Sequence, residues 1–344
     1  MKIDIGIVRI SPQIDELTEA LLKTCCEKQL SACTYLLTEL CTATATAPAL
    51  VWDGAQYCQC TVSVPPISEC RFSPDSNPRA KRLCPEKLEW LRAHTFVTDG
   101  DGLLKSELMQ CILSSEHYAY AIPTYPVHSY REALFYTSLL KRCILKPSGG
   151  RKGLCVISLL DRNGQAVVFD GKTEQPFDEE YWKAYRAELS AQSLGAPILQ
   201  PRLNFTLDDA RALDFRIWTI KGGSGSWEIA KISACIGGNP LISNIAHGGE
   251  LADASEVLKN LSAENAARFT EEFRRIAVDI PRLIEAQKKK QLSCFGIDVG
   301  IDRDTMQVYV IEANTMPGAG FYAMELADKK TDYYRYLLQN GIPE

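Results

Sequence analysis

Apolar residues alternate with polar or small ones at the start of the chain, so Ile3, Ile5 and Ile7 share one face of a predicted strand. Ser11-Pro12 reads as a helix cap with proline at the first helical position, and Ile14, Leu17, Leu21 and Cys25 then recur at helical spacing. Residues 48–80, rich in proline, serine and short apolar runs, predict strands and loops over an α/β layer. A helix is expected at 85–94, and Thr98-Asp99-Gly100-Asp101-Gly102 has the chemistry of a turn between domains. Beyond it, 103–114 and 129–141 predict helices. Ile122-Pro123-Thr124 starts an extended stretch, and 143–147 and 154–160 predict strands flanking the glycine-rich segment 148–153. The last third reads as strands at 213–220, 227–234, 294–301 and 307–313 with a long helix at 262–290. In that helix Phe269, Phe273, Ile276, Ile280, Leu283 and Ile284 form a stripe that Pro281 is expected to kink. The fold class is α/β (α+β).

The same alternation sorts polar groups onto faces. In 294–301, Asp298 lies opposite Ile297 and Val299, together with Gly296 and Gly300; in 307–313 and its extension, Glu312 and Asn314 share a face. The short connection, Asp302 to Gln307, suits an antiparallel pair. One face then presents Asp298, Glu312 and Asn314, with the two glycines leaving room beside them. Two acids and an amide are hard-cation donors of the kind magnesium uses with substrate phosphates; the bland alternative is a hairpin with its polar face in water. Asp302 and Asp304 are read as solvated turn residues. Segment 148–153 is not a Walker loop, because no Gly-Lys-Ser/Thr enters a helix, but a hairpin tip can lay backbone N–H groups over phosphates. Lys146, on the face of Ile144, is placed either to meet a phosphate or to snorkel to water. Asp214, Arg216 and Trp218 share a face; Arg216 could neutralise phosphate or simply pair with Asp214. Asn244 could orient a phosphate or sit in a turn, and His247 reads as a loop histidine.

Composition removes rival chemistries. A length of 344 residues allows about two domains. With 46% hydrophobic and 24% charged residues, the chain is neither disordered nor fibrous. A net charge of -5 from 38 basic and 43 acidic side chains argues against a nucleic-acid partner. The 13 cysteines are scattered and lack a CxxC, so they read as reduced, mostly buried and structural. No apolar run is long enough for a membrane span and the N-terminus does not resemble a signal peptide, which points to a cytoplasmic protein without a membrane partner. The histidines at 94, 117, 128 and 247 never reach HxxxH spacing, and no nucleophile elbow is present, so neither a zinc hydrolase nor a serine triad is expected.

Taken in order, Lys105 on a helix, Ile144-Leu145-Lys146-Pro147 before a glycine-rich hairpin, Asp214-Phe215-Arg216, Ser243-Asn244-Ile245 with Gly248-Gly249, and Gly296-Ile297-Asp298 with Ile311-Glu312-Ala313-Asn314 resemble the ATP-grasp superfamily, within it the YheC/YheD-like branch. The turn Asn314-Thr315-Met316-Pro317-Gly318 is also similar to that of D-alanine–D-alanine ligases. The resemblance covers about residues 100–325. It implies an ATP-grasp fold with an N-terminal strand–helix domain (1–102), a central lobe with the glycine-rich loop (103–197) and a C-terminal lobe with the metal site (198–344). Lys105 and Lys146 would hold the ATP phosphates. Ser148, Gly149, Gly150 and Gly153 would cover them, Gln200, Pro201 and Leu203 would belong to the hinge that reads adenine, and Asn244 would help bind the nucleotide. Asp298, Glu312 and Asn314 would hold two magnesium ions. Arg216 would stabilise the transferred phosphoryl group, and Gly318 would offer its N–H to an acyl intermediate. The implied reaction is amide formation between a carboxylate and an amine, amino acids or small peptides, through an acyl phosphate with release of ADP and phosphate. A phosphotransferase on the same fold and a non-catalytic nucleotide-binding, coat-associated protein are the alternatives. The branch carries an arginine after strand 227–234. Here Lys231-Ile232-Ser233-Ala234-Cys235 stands in its place, leaving that role to Lys231 or vacant. Oligomeric state stays open, a homodimer included.

Overall fold

The computed structural model describes residues 3–74, 77–100, 102–150, 153–243, 248–318 and 320–342. Three sheets organise them. The first combines β1 (Ile5–Arg9), α1 (Glu16–Glu27), β2 (Ala32–Leu36), β3 (Thr46–Trp52), β4 (Tyr57–Ser63), β5 (Ile67–Cys70), α2 (Pro78–Leu83), α3 (Pro85–His94) and β6 (Phe96–Val97), in the strand order β4-β3-β2-β1-β5-β6. Helix α3 starts with proline at N1, where no N–H is needed. The first helix begins later than the Ser11-Pro12 signal suggests. The Arg9 guanidinium donates to the carbonyls of Ser11 and Pro12, holding them in a turn, and Asp15 instead caps α1 by accepting from the Thr18 N–H at 2.7 Å.

The central sheet follows α4 (Lys105–Leu113). Its elements are β7 (Tyr125–Pro126), α5 (Tyr130–Leu140), β8 (Arg142–Pro147), β9 (Ile157–Arg162), β10 (Gln165–Phe169), β11 (Glu174–Pro176), α6 (Glu179–Ala191) and β12 (Pro197–Pro201), ordered β11-β10-β9-β8-β12-β7 and antiparallel throughout. Strand β9 starts at Ile157 rather than 154, because Cys155 takes a left-handed φ of 55° that a strand cannot contain.

The third sheet, β15-β14-β13-β16-β17, comprises β13 (Leu213–Lys221), β14 (Trp227–Ile236), β15 (Glu250–Asp253), β16 (Cys294–Asp302) and β17 (Gln307–Asn314), with α7 (Ala254–Leu261), α8 (Ala266–Lys288) and α9 (Ala323–Asn340). Phe269, Phe273, Ile276, Ala277 and Ile280 of α8 bury against Phe215, Ile217, Ile297 and Val299, so one sheet face is apolar and the other is left for chemistry. Helix α8 is continuous through Pro281. Proline cannot donate to the carbonyl four residues earlier, at Ala277, and the Thr219 hydroxyl takes that place at 2.6 Å. Leu108, Met109 and Ile112 of α4 join this same core.

The N-terminal sheet and the third sheet share a core. Ile5, Ile7, Leu17 and Leu21 pack with Trp218, Ile220, Leu326 and Tyr334, with α9 lying along α1. Inside this contact Lys330 is buried between Glu69 at 2.8 Å and Asp99 at 3.3 Å, with Ser293, Thr98 and Tyr334 completing the hydrogen bonds. Burial pushes the Asp99 carboxyl up to about 6, against the pull of Lys330. The segment read as a turn at 98–102 is therefore a buried polar junction at Thr98 and Asp99. No helix among the described residues is long and apolar enough to cross a membrane.

Candidate active site

The polar face of the third sheet looks across a cavity of about 580 Å³ at β8, β12 and the glycine-rich loop, a size suited to a nucleotide or similar ligand. Lys105, Lys146, Gly149, Gly150, Gly153, Gln200, Pro201, Leu203, Arg216, Asp298, Glu312 and Gly318 all line it. Ser148 does not. It is buried at the loop's base, where its N–H donates to Ala196 and its carbonyl accepts from the Lys105 N–H. Gly149 needs its missing side chain: a Cβ there would lie 2.9 Å from the Leu194 carbonyl oxygen. Asn244 and His247 fall outside the described residues.

Register aligns the acids. Arg216 stands opposite Asp298, Asp298 opposite Glu312, and Gly296 opposite Asn314. Arg216 grips Asp298 with both arms of its guanidinium, Nη2 at 2.7 Å and Nε closer still, so its partner is not the nearby Asp214. Asp214 instead accepts from the Ser243 hydroxyl. Glu312 receives the Asn314 side-chain amide at 2.7 Å and Lys105 at 3.1 Å, and Lys105 also reaches the Gly150 carbonyl at 3.2 Å. The spaces beside Gly296 and Gly300 are filled. A Cβ on Gly296 would sit 2.6 Å from Pro317 and 3.1 Å from the Arg216 side chain, and one on Gly300 would sit 2.7 Å from the Phe205 ring.

Charges in the cleft are strongly perturbed. Burial raises Asp298, while Arg216 pulls the other way and Asp214 adds to the rise. Glu312, despite burial, is held down at about 2 by Lys105 and the Asn314 amide, with Lys146 adding to the pull. Burial, reinforced by Lys105, lowers Lys146 to about 8. Asp302, read as a solvated turn acid, is buried: it accepts the Asn204 N–H at 2.9 Å and the Thr305 hydroxyl at 2.7 Å, holding the segment after β12 against the β16–β17 turn. Asp304 is exposed.

Trp218 and Tyr322 close the other end of the cleft, edge to face at 4.9 Å. The Trp218 indole N–H points at the Gly318 carbonyl, 3.4 Å away, and Ser233 donates to the Tyr322 hydroxyl at 2.8 Å. No pattern in the sequence signals Tyr322, which lies beyond the recognisable motifs. The Lys231 ammonium sits 5.3 Å from the Tyr322 ring centre, and Lys231 is not among the cleft's described lining residues.

Asp298, Glu312 and Asn314 offer two carboxylates and an amide, and among the described residues no group of three acids, histidines or cysteines could hold a metal ion. The two carboxylates are neutralised internally by Arg216 and Lys105. Such a set suits a hard cation that brings further oxygen ligands on phosphates, and is too sparse for a closed protein cage.

A family model described as YheC/D-like ATP-grasp matches residues 95–342, which include every cleft residue named above. The chain belongs to the YheC/D-like ATP-grasp family. Among curated proteins it is similar to the endospore coat-associated protein YheC of Bacillus subtilis, 21% identical over 202 residues. That match covers 58% of this chain and spans about half the relative's length, 55%. Solved structures with the same fold include D-alanyl-alanine synthetase A from Vibrio cholerae, at a TM-score of 0.54 and 12% identity over 98% of this chain and 97% of that one. The ATP-grasp ligase PsnB gives 0.53 and 14% over 95% and 98%, and D-cycloserine synthetase DcsG gives 0.53 and 15% over 96% and 99%. These structures share the chain's fold.

Proposed function

We propose that this protein is an ATP-dependent carboxylate–amine ligase that makes an amide, peptide-like bond between amino acids or small peptides. The observation that carries this reading is the convergence in one cleft of Lys105, Lys146 and the glycine-rich loop with Arg216 and the carboxylates of Asp298 and Glu312. A substrate carboxylate oxygen attacks the γ-phosphorus of ATP, the bond to the bridging oxygen breaks, and ADP leaves. The amine then attacks the acyl carbon of the acyl phosphate, and phosphate departs. Such transfer depends on positioning and charge neutralisation rather than on a protein nucleophile. Lys105 and Lys146 meet the phosphates, Arg216 faces the transferring group, and the Gly318 N–H is available to the acyl oxygen. Gln200, Pro201 and Leu203 line the adenine end. Asp298, Glu312 and Asn314 would hold magnesium, two ions in this reading, which supplies positive charge on the phosphate oxygens. Closure of the loop over the site would keep water from the acyl phosphate.

An ADP-release screen over acid–amine pairs tests the reading. Turnover should require both partners and magnesium, and Asp298→Asn and Glu312→Gln should abolish it. ADP release with a single acceptor would favour the phosphotransferase. A protein that binds ATP but turns over with no pair would favour the binding role that coat association suggests.

The lowered pKa of Lys146 adds a second test. A phosphate favours the charged lysine, whose free value is about 8. Affinity for a non-hydrolysable ATP analogue should therefore be level below pH 8 and fall by up to about tenfold per unit above it. Lys146→Arg, which stays charged, should flatten the curve; a level wild-type curve to pH 9.5 would remove Lys146 from the phosphate site.

A further inference from the structure

The cleft holds two more cations than this chemistry uses. Arg142 opens β8, and Arg202 follows the last residue of β12, its N–H donating to the Arg142 carbonyl at 3.0 Å. Both side chains line the cleft. Alternation along β8 puts Arg142, Ile144 and Lys146 in one row, and at about 3.3 Å per residue Arg142 lies about 13 Å from Lys146. Arg202 reaches across the sheet face. Its guanidinium is 5.5 Å from the centre of the Phe169 ring, and Nη1 donates to the Ser158 hydroxyl at 3.5 Å. Among the described residues no carboxylate pairs with either arginine. Burial and the neighbouring Arg142 both pull Arg202 below the usual arginine value.

Like charges on adjacent strands repel, and partial burial of Arg202 adds to the cost. An oxyanion between them would relieve both, and guanidinium forks match phosphate oxygens in pairs. We propose that Arg142 and Arg202 form an anion subsite at the outer end of the cleft, taking a phosphoryl group of a ligand other than the ATP triphosphate. Four residues of strand set this subsite apart from Lys146 at the phosphate end. The inference rests on the ligase reading only for placing that triphosphate at Lys146.

The test is titration of the full chain with inorganic phosphate by calorimetry, alone and after saturation with magnesium and a non-hydrolysable ATP analogue. Saturable phosphate binding should persist in the nucleotide-loaded protein. Arg142→Gln and Arg202→Gln should each weaken it about tenfold or more, while Lys146→Gln leaves it unchanged. Arg142 is exposed, so its variant keeps the test decisive if loss of the Phe169 contact unfolds the other. Absent binding, binding displaced by the nucleotide, or binding kept by the double variant would overturn the subsite. Failure of the ligase reading would appear separately, as lack of analogue binding or of ADP release, with phosphate binding intact.

Discussion

Lys330→Met should lower the unfolding free energy by about 3–5 kcal/mol, because it leaves Asp99 buried without its cation and Glu69 with only Arg71, 3.9 Å away. Urea unfolding of the variant would measure the loss. The triple change Lys330→Met, Glu69→Gln, Asp99→Asn should recover much of it, since removing a whole buried ion group is far less harmful than removing one member. A single variant as stable as wild type, or a triple variant less stable than the single, would show that the cluster does not carry this junction. Activity offers no substitute for the unfolding measurement, because Lys330 lies in the shared core of the first and third sheets rather than in the cleft.

Arg216→Met should reduce ADP release by about 10²- to 10³-fold at saturating ATP, the usual cost of losing a charge aimed at a developing oxyanion. Arg216→Lys should recover little. An ammonium cannot span both oxygens of Asp298 as the guanidinium fork does. Rapid-quench measurement of the first turnover separates chemistry from product release. If the first turnover is unimpaired, Arg216 positions Asp298 and does not face the transferred group.

Local pattern made the working face legible. A strand has only two faces, and a short connection forces antiparallel pairing, so the pattern alone places Asp298, Glu312 and Asn314 together. Helix 85–94 was legible to its ends because proline marks the first turn. What the pattern could not reach was partner choice across long separations. Arg216 has an acid two residues away and binds one 82 residues away, because sheet register sets Asp298 directly opposite it. Asp302 looked like a turn acid because its own neighbours are polar, yet the segment after β12 buries it. Thr98 and Asp99 read as a turn for the same reason: turn-forming residues are also small polar ones that fit a buried network. The start of the first helix moved because the Arg9 side chain competes for the carbonyls near Ser11, an interaction that no capping pattern encodes.

The Lys330 cluster also sets an order of events during synthesis. Glu69 and Asp99 precede their lysine by 261 and 231 residues. At roughly 5–20 residues per second, the ribosome delivers Lys330 some tens of seconds after those acids. Until α9 emerges, Glu69 has only Arg71 for counter-charge, Asp99 lacks its lysine, and the apolar face that α9 covers stays open. The first part of the chain to be made is thus among the last to be finished, and a nascent chain halted before α9 carries Asp99 without its lysine beside an uncovered core.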